Sequence, residues 1–345
     1  MKLFIFGSTG DLVKRKVMKA LHEIYNSEEN LEIYAIGRKD LDRKEYQNFI
    51  CSDWCVPKFR DSLHYIQVNF DKLDLSKYLS DSDTNYFYVS LPPSEYKKIF
   101  RFTEEIVNKN YDIKILAEKP FGLNLDNAQD LKNFIENSSL KNKIFISDHY
   151  LFKKNFMKLS EIRNFRKLKI VSVEEVGLEG RVSYYDSVGA IKDMVQSHFL
   201  NLVKKNLNFE VNPDEIKVTE FVRGQYEGYS DELGKKSKTE TFVYVSFKCC
   251  GKEFEFITGK AFEEKEGYVE VDGEKFEIGE DNSYVEIFRR FLSGDENLMI
   301  GFPTIEDSVL GWEIVEKFEE YGKDKELIFY EKGSELRDVL AQKNS

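Results

Sequence analysis

The sequence predicts a doubly wound α/β domain followed by an α+β domain with a mainly antiparallel sheet, and three observations carry that reading. Short apolar runs alternate with helical patterns through residues 1–148, the signature of a parallel sheet covered on both faces. The first run, Lys2–Phe6, passes directly into a glycine turn, Gly7-Ser8-Thr9-Gly10-Asp11-Leu12, and then into a helix. From Glu215 onward, strand-like runs with a two-residue alternation take over, as expected of antiparallel strands. The chain therefore divides into 1–148 and 149–345, and 345 residues is a natural length for two domains.

Taken in order, the helix after the glycine turn buries Val13, Val17, Ala20, Leu21 and Ile24, which recur at helical spacing. Leu31–Ile36 is the second strand and Tyr65–Phe70 a further one, while Leu41–Leu63 between them shows no regular pattern. Tyr86–Leu91 reads as a buried strand closed by Pro92-Pro93, and Ser94 is placed to cap a helix to Lys109. Strand Ile113–Ala117, helix Asn124–Glu136 and strand Lys143–Ser147 complete the first domain. The second opens with a helix at Lys154–Arg163 and a strand at Ile170–Val176, and turns helical again from Val188. Strands follow at Glu215–Val222, Thr241–Cys249, Lys252–Gly259, Tyr268–Val271 and Lys275–Ile278. Helices Ser283–Leu292 and Ile305–Tyr321 lead into a polar tail.

Composition removes several classes of function. A net charge of −11 argues against general nucleic-acid binding, which needs a basic footprint. Any anionic ligand must then be held by local lysines rather than by the overall field. No apolar run approaches the ~20 residues of a membrane span, and Met1 leads straight into a strand pattern without a signal peptide. Cys51, Cys55 and the adjacent Cys249-Cys250 lack the spacing of a zinc site. They read as reduced thiols of a cytoplasmic protein, with no resident metal.

Three stretches carry chemistry. Strand, glycine turn and helix present free N–H groups to a pyrophosphate, although GSTGD is one glycine short of the usual pattern. Arg38, after the second strand, suits the 2′-phosphate of NADP, where an acidic residue would select NAD; Asp40 and Asp42 keep a ribose contact open. At the end of the fifth strand, Glu118-Lys119-Pro120-Phe121-Gly122 puts a cation beside a nicotinamide. A cis bond before Pro120 is open on sequence alone. The sixth strand delivers Asp148, His149 and Tyr150, with Lys153 beyond. An imidazole, a phenol and an ammonium can all donate to a phosphate. His198 lies on the apolar stripe of Ile191, Met194, Val195 and Leu202, where a lone histidine is usually a satisfied core residue. Asp193, five residues earlier, falls on a neighbouring face of an α-helix, so helical spacing does not pair the two.

GSTGDLVKRK, AEKPFG, SDHYLFK and EGRVSYYDSVGAIKDMVQSHFL, in that order, resemble the glucose-6-phosphate dehydrogenase family. GQYEG, ITGKAF, SYVEIFRRFLSGD and the helix around Trp312 extend the likeness over nearly the whole chain. The resemblance implies oxidation of glucose 6-phosphate at C1 to 6-phosphogluconolactone, with hydride passing to NADP or NAD, in a cytoplasmic homodimer. It implies a Rossmann-type dinucleotide domain at 1–148 and a substrate-binding and dimerisation domain at 149–345. His198 would be the base and Asp148 its orienter. His149, Tyr150 and Lys153 would grip the phosphate; Glu174 and Asp193 would accept from sugar hydroxyls; Lys119, Lys260 and Lys265 would complete the pocket. Gly7, Ser8, Thr9, Gly10, Asp11, Leu12, Arg38 and Lys119 would hold the cofactor. The chain departs from the family in its shorter connections, and Phe152 stands where the family has glycine. EEVGLEGR leaves Glu174 or Glu175 as the hydroxyl reader, with Glu174 preferred. Two other readings stay open: a different EKP-bearing sugar dehydrogenase, and an inactive regulatory homologue.

Overall fold

The structure, a computed structural model, describes residues 1–25, 31–52, 54–68, 73–178, 180–279 and 282–342. The chain forms two compact units, Met1–Phe152 with Asp281–Glu306, and Lys153–Glu280 with Asp307–Ser345.

The first unit is built on a six-stranded sheet. Its strands are β1 (Lys2–Phe6), β2 (Glu32–Gly37), β3 (Leu63–Gln67), β4 (Asn85–Val89), β5 (Ile113–Glu118) and β6 (Ile144–Ser147). They are ordered β3-β2-β1-β4-β5-β6 and paired parallel throughout. That order reverses direction between β1 and β4, which in an open α/β sheet opens a crevice at the strand ends. All five residues of β4 are buried, two of them tyrosines, as a strand covered on both faces requires. Asn69 and Phe70 of the expected third strand lie outside the described residues.

The irregular stretch contains two helices, Arg43–Ile50 and Pro57–Ser62. Asp42 caps the first with a reciprocal box: it accepts from the Glu45 N–H, and Glu45 accepts from its own. The expectation of four reduced thiols is overturned here. Cys51 and Cys55 are joined in a disulfide, with Cα atoms 5.2 Å apart, a separation within the range that such a bond accepts. Cys51 terminates one helix, and Pro57 starts the next, so the chain doubles back over four residues and brings the sulfurs together. Cys249 and Cys250 are free.

The second unit is built on a seven-stranded sheet ordered β12-β11-β7-β10-β9-β8-β13. The strands are β7 (Lys167–Val173), β8 (Lys217–Tyr226), β9 (Phe242–Cys249), β10 (Lys252–Gly259), β11 (Glu266–Val271), β12 (Glu274–Glu277) and β13 (Leu327–Tyr330). Four pairings are antiparallel, but β10 with β7 and β13 with β8 run parallel. β13 lies in the stretch that the sequence reads as a polar tail: it is a four-residue edge strand with only Tyr330 fully buried, too short to show a period. No helix among the described residues is long and apolar enough to cross a membrane.

The second core is aromatic. Phe247 stacks on Phe254 at 4.7 Å and meets Phe256 and Phe318 at 5.3 and 5.0 Å, all without solvent exposure. Phe247→Ala should therefore cost about 3–5 kcal/mol of unfolding free energy. Phe329→Ala, at a ring 57% exposed, should cost less than about 0.5 kcal/mol. Urea midpoints of the two variants check the difference.

Candidate active site

In the first unit the glycine turn lies at the crevice between β1 and β4. Gly7 has φ +79°, and a Cβ there would stand 2.1 Å from the Ser90 carbonyl oxygen, so no other residue fits. Its N–H and that of Ser8 donate to the Ile36 carbonyl, and Gly10 donates back to Gly7. The turn is thus closed by its own backbone. Thr9 is half-buried and Gly10, Asp11 and Leu12 lead to the surface at the start of the helix. The Ser8 Oγ is buried, with no hydrogen-bond partner among the described residues. A glycine turn packed at the end of β1, an orphaned hydroxyl on it and the helix start that follows fit the phosphates of a dinucleotide.

Arg38 is exposed at the end of β2. Two cations not singled out in the sequence gather nearby: the Lys14 and Lys39 ammoniums stand 4.4 and 4.6 Å from the centre of the Phe49 ring. Each rests on the ring face by a cation–π contact. Of the two alternative ribose acceptors, Asp42 is taken up as a helix cap, while Asp40 is exposed. The local charge at this strand end is positive.

β5 and β6 pair with Glu118 opposite Ser147, so Lys119 and Asp148 leave adjacent strands at the same level. Lys119-Pro120 is cis. Asp148 is fully buried and accepts the Tyr150 N–H at 3.0 Å, an Asx turn that bends the chain as the strand ends. His149 is half-buried, its ring meeting Tyr150 edge-on at 5.2 Å. Phe152 is absorbed by packing: its ring lies 4.9 Å from Phe302, with the Arg290 guanidinium over it at 5.3 Å. Glu118 itself was not anticipated. It is buried and accepts from Tyr88 at 2.6 Å and, more weakly, from Tyr284 at 3.4 Å. Burial raises its carboxyl above the ordinary range, against the lowering pull of the Tyr88 bond.

The second unit repeats the device of adjacent parallel strand ends. Gly259 of β10 is opposite Val173 of β7, so the next residues, Lys260 and Glu174, emerge together and pair at 2.7 Å. The ammonium is largely buried, the carboxylate one-third exposed. Glu175 is instead exposed and accepts the Lys265 N–H at 3.3 Å; the Lys265 side chain is exposed. The choice between Glu174 and Glu175 thus has a structural counterpart: Glu174 meets the buried cation.

Lys153 is buried and precedes the helical turn Lys154–Met157. Asp193 and His198 both lie in Ile191–Phe199, which is π-helical. Hydrogen bonds there run from residue i+5, as Leu200 N–H to Val195 carbonyl shows. Residues five apart then stand one above the other, so the inference from α-helical spacing fails: Asp193 and His198 share a face. His198 is 1% exposed and Asp193 half-buried. Tyr185 is a further residue that the sequence did not mark. It is buried, and its hydroxyl has no partner among the described residues. Burial first, then the charges of Asp193 and Glu240, raise its phenol well above the ordinary range.

Glu240 starts this helix. Its carbonyl accepts from Ala190 at 3.1 Å and its carboxylate from Ile191 at 3.3 Å. Gly189, φ +73°, leaves room for that carboxylate, since a Cβ would lie 2.4 Å from Oε1. Burial raises the Glu240 carboxyl above its usual 4.5.

Two family models match: "Glucose-6-phosphate dehydrogenase, NAD binding domain" over residues 4–157 and "Glucose-6-phosphate dehydrogenase, C-terminal domain" over residues 152–208. Among curated relatives, glucose-6-phosphate 1-dehydrogenase of Helicobacter pylori strain 26695 is 30% identical over 70% of this chain and 67% of that one. The Borreliella burgdorferi enzyme of the same name is 28% identical over 81% and 73%. A solved glucose-6-phosphate dehydrogenase in complex with glucose-6-phosphate superposes with a TM-score of 0.80 at 20% identity, covering 99% of this chain and 96% of that one. The WlbA dehydrogenase of Thermus thermophilus shares the fold at a TM-score of 0.60 and 13% identity, over 91% and 93%.

The raised Glu240 carboxyl has a consequence for stability. Above pH 4.5 the unfolded chain releases this proton while the folded chain still holds it, so its contribution falls as pH rises toward the folded value. Glu240→Gln cannot titrate and should show a shallower loss of stability between pH 4.5 and neutrality, read from urea midpoints at stepped pH.

Proposed function

Because the chain belongs to the glucose-6-phosphate dehydrogenase family, we infer that it oxidises glucose 6-phosphate at C1 to 6-phosphogluconolactone, with NADP as acceptor. The observation that carries the reading is the end of β6. Asp148, His149 and Tyr150 are delivered there beside Lys119, at the edge of a sheet that also holds the glycine turn.

In this reading His198 removes the proton of the anomeric hydroxyl, and Asp148 orients the imidazole and balances the charge that forms on it. One Asp148 oxygen is already fixed by the Tyr150 N–H, which sets the direction of the carboxylate. His149, Tyr150 and Lys153 bind the 6-phosphate, the lysine and histidine by charge-assisted bonds. Glu174 and Asp193 accept from sugar hydroxyls, and Lys260 aims Glu174 through their 2.7 Å contact. Lys119 and Lys265 complete the sugar pocket. The nicotinamide supplies the hydride acceptor; the protein supplies position and the removal of one proton. Residues 1–148 are assigned to the dinucleotide, 149–345 to the sugar and to a homodimer.

The base has a direct test. His198→Asn should lower kcat on glucose 6-phosphate by roughly 10²–10⁴-fold with little change in sugar-phosphate affinity. Asp148→Asn should lose less, since it never takes the proton. Near-full turnover in His198→Asn removes that residue from the chemistry.

NADP preference rests on the positive end of β2. Arg38→Ala should weaken NADP by about tenfold or more and leave NAD nearly unchanged, because a charge-assisted contact to the 2′-phosphate is worth roughly 1.5–3 kcal/mol. Binding titrations with both cofactors decide it. Equal loss for the two would assign the ribose to another group.

A further inference from the structure

The imidazole of His149 is held between two tyrosines that come from very different places in the chain. Tyr150 is its neighbour and meets it edge-on. Tyr284 is far along the sequence, at the start of the helix Ser283–Ser293, which returns to the first unit. The Tyr284 ring lies parallel to the imidazole, within 13°, at a centroid distance of 5.8 Å. It is 7% exposed.

Tyr284 is itself fixed at both ends. Its hydroxyl donates, in a long bond of 3.4 Å, to the same Glu118 oxygen that Tyr88 binds at 2.6 Å. Its helix is pinned to β4 by edge contacts of Phe288 with Tyr88 and of Phe291 with Tyr86, at 5.1 and 5.3 Å. A carboxyl group as buried as Glu118, 7% exposed, is costly to keep in a core. Its retention there, bonded to the tyrosine that lies against His149, gives it a use. The β-strand fixes Glu118, Glu118 fixes the phenol, and the phenol fixes the plane of the imidazole.

We propose that Tyr284, anchored by Glu118, is a positioning residue for His149, holding the imidazole in the orientation that donates to the substrate phosphate. The proposal rests on the assignment of His149 to that phosphate. Glu118 and Tyr284 act through the imidazole. Their effect is on the phosphate grip and not on the proton transfer at C1.

The test is a set of variants read by steady-state kinetics with glucose 6-phosphate and with free glucose. Tyr284→Leu should raise KM for glucose 6-phosphate about two- to tenfold, the range of an aromatic pair, with kcat and the kinetics on free glucose unchanged. Tyr284→Phe keeps the ring but not its bond to Glu118, and should recover part of the loss. In the His149→Ala background, Tyr284→Leu should add nothing, since the group it positions is gone. Full additivity in that background, or a parallel loss on both sugars, overturns the proposal. An independent readout needs no activity. The chain has four histidines, and Tyr284→Leu should move the ring resonances of His149 while leaving those of His22 and His64 in place. An unmoved His149 resonance overturns the positioning role, whereas wild type that makes no distinction between the two sugars overturns the phosphate assignment itself.

Discussion

The site in the first unit depends on one register. β5 and β6 run parallel with Ala117 opposite Ile146 and Glu118 opposite Ser147. That pairing turns two motifs separated by a helix and two loops into neighbours: Lys119 and Asp148 step off adjacent strands together. A slip of one residue would rotate every side chain of β6 to the other face. The register is guarded by the core, since Ile144 and Ile146 are buried on one side of the pleat. Packing of apolar side chains thus fixes the relative height of polar ones. Motifs that look independent in the sequence are one structural unit.

The second sheet obtains the same result from a pairing its sequence conceals. Alternation and short turns point to antiparallel strands, and β9 with β10 is such a hairpin. Yet β10 then lies parallel to β7, a strand that comes some eighty positions earlier in the chain. Only this parallel pairing lets Val173 and Gly259 end side by side, so that Glu174 and Lys260 meet. An antiparallel arrangement would send them to opposite edges. Strand order is a property of the whole sheet, and no local pattern in β7 or β10 encodes it.

What was legible in the sequence had a local cause. Buried runs such as Tyr86–Val89 declare a strand by composition. Gly7 declares a tight turn. The helix expected at Asn124–Glu136 is present as Leu125–Glu136, with Asn124 its cap, accepting the Asn127 N–H. What was hidden depended on partners far away or on a changed period. The apolar stripe of Ile191, Met194, Val195 and Leu202 fits an α-helix, so the π-helical run, and with it the shared face of Asp193 and His198, had no signature. Cys51 and Cys55 lie between a helix that ends at Ile50 and one that begins at Pro57, in a stretch whose apolar residues show no regular period. Tyr284 is an ordinary member of an amphipathic helix until Glu118 and His149 are placed beside it.

Both units keep ionisable groups where burial works against their charge. Glu118 and Glu240 are raised by desolvation despite hydrogen bonds that pull the other way. Tyr88 and Tyr185 are raised with them. A fold selected for stability alone would exchange such groups for apolar ones of equal volume, often at no cost. They persist next to the residues assigned to chemistry: Glu118 between the lysine of one motif and the histidine of another, Glu240 at the start of the helix that carries Asp193 and His198. A buried carboxylate makes its few bonds in one geometry only, because every alternative leaves it unpaired in a medium of low polarity. Stability is given up at these points, and what is gained is a fixed direction for the carboxyl groups themselves: Glu118 toward Tyr88 and Tyr284, Glu240 toward the Ile191 N–H.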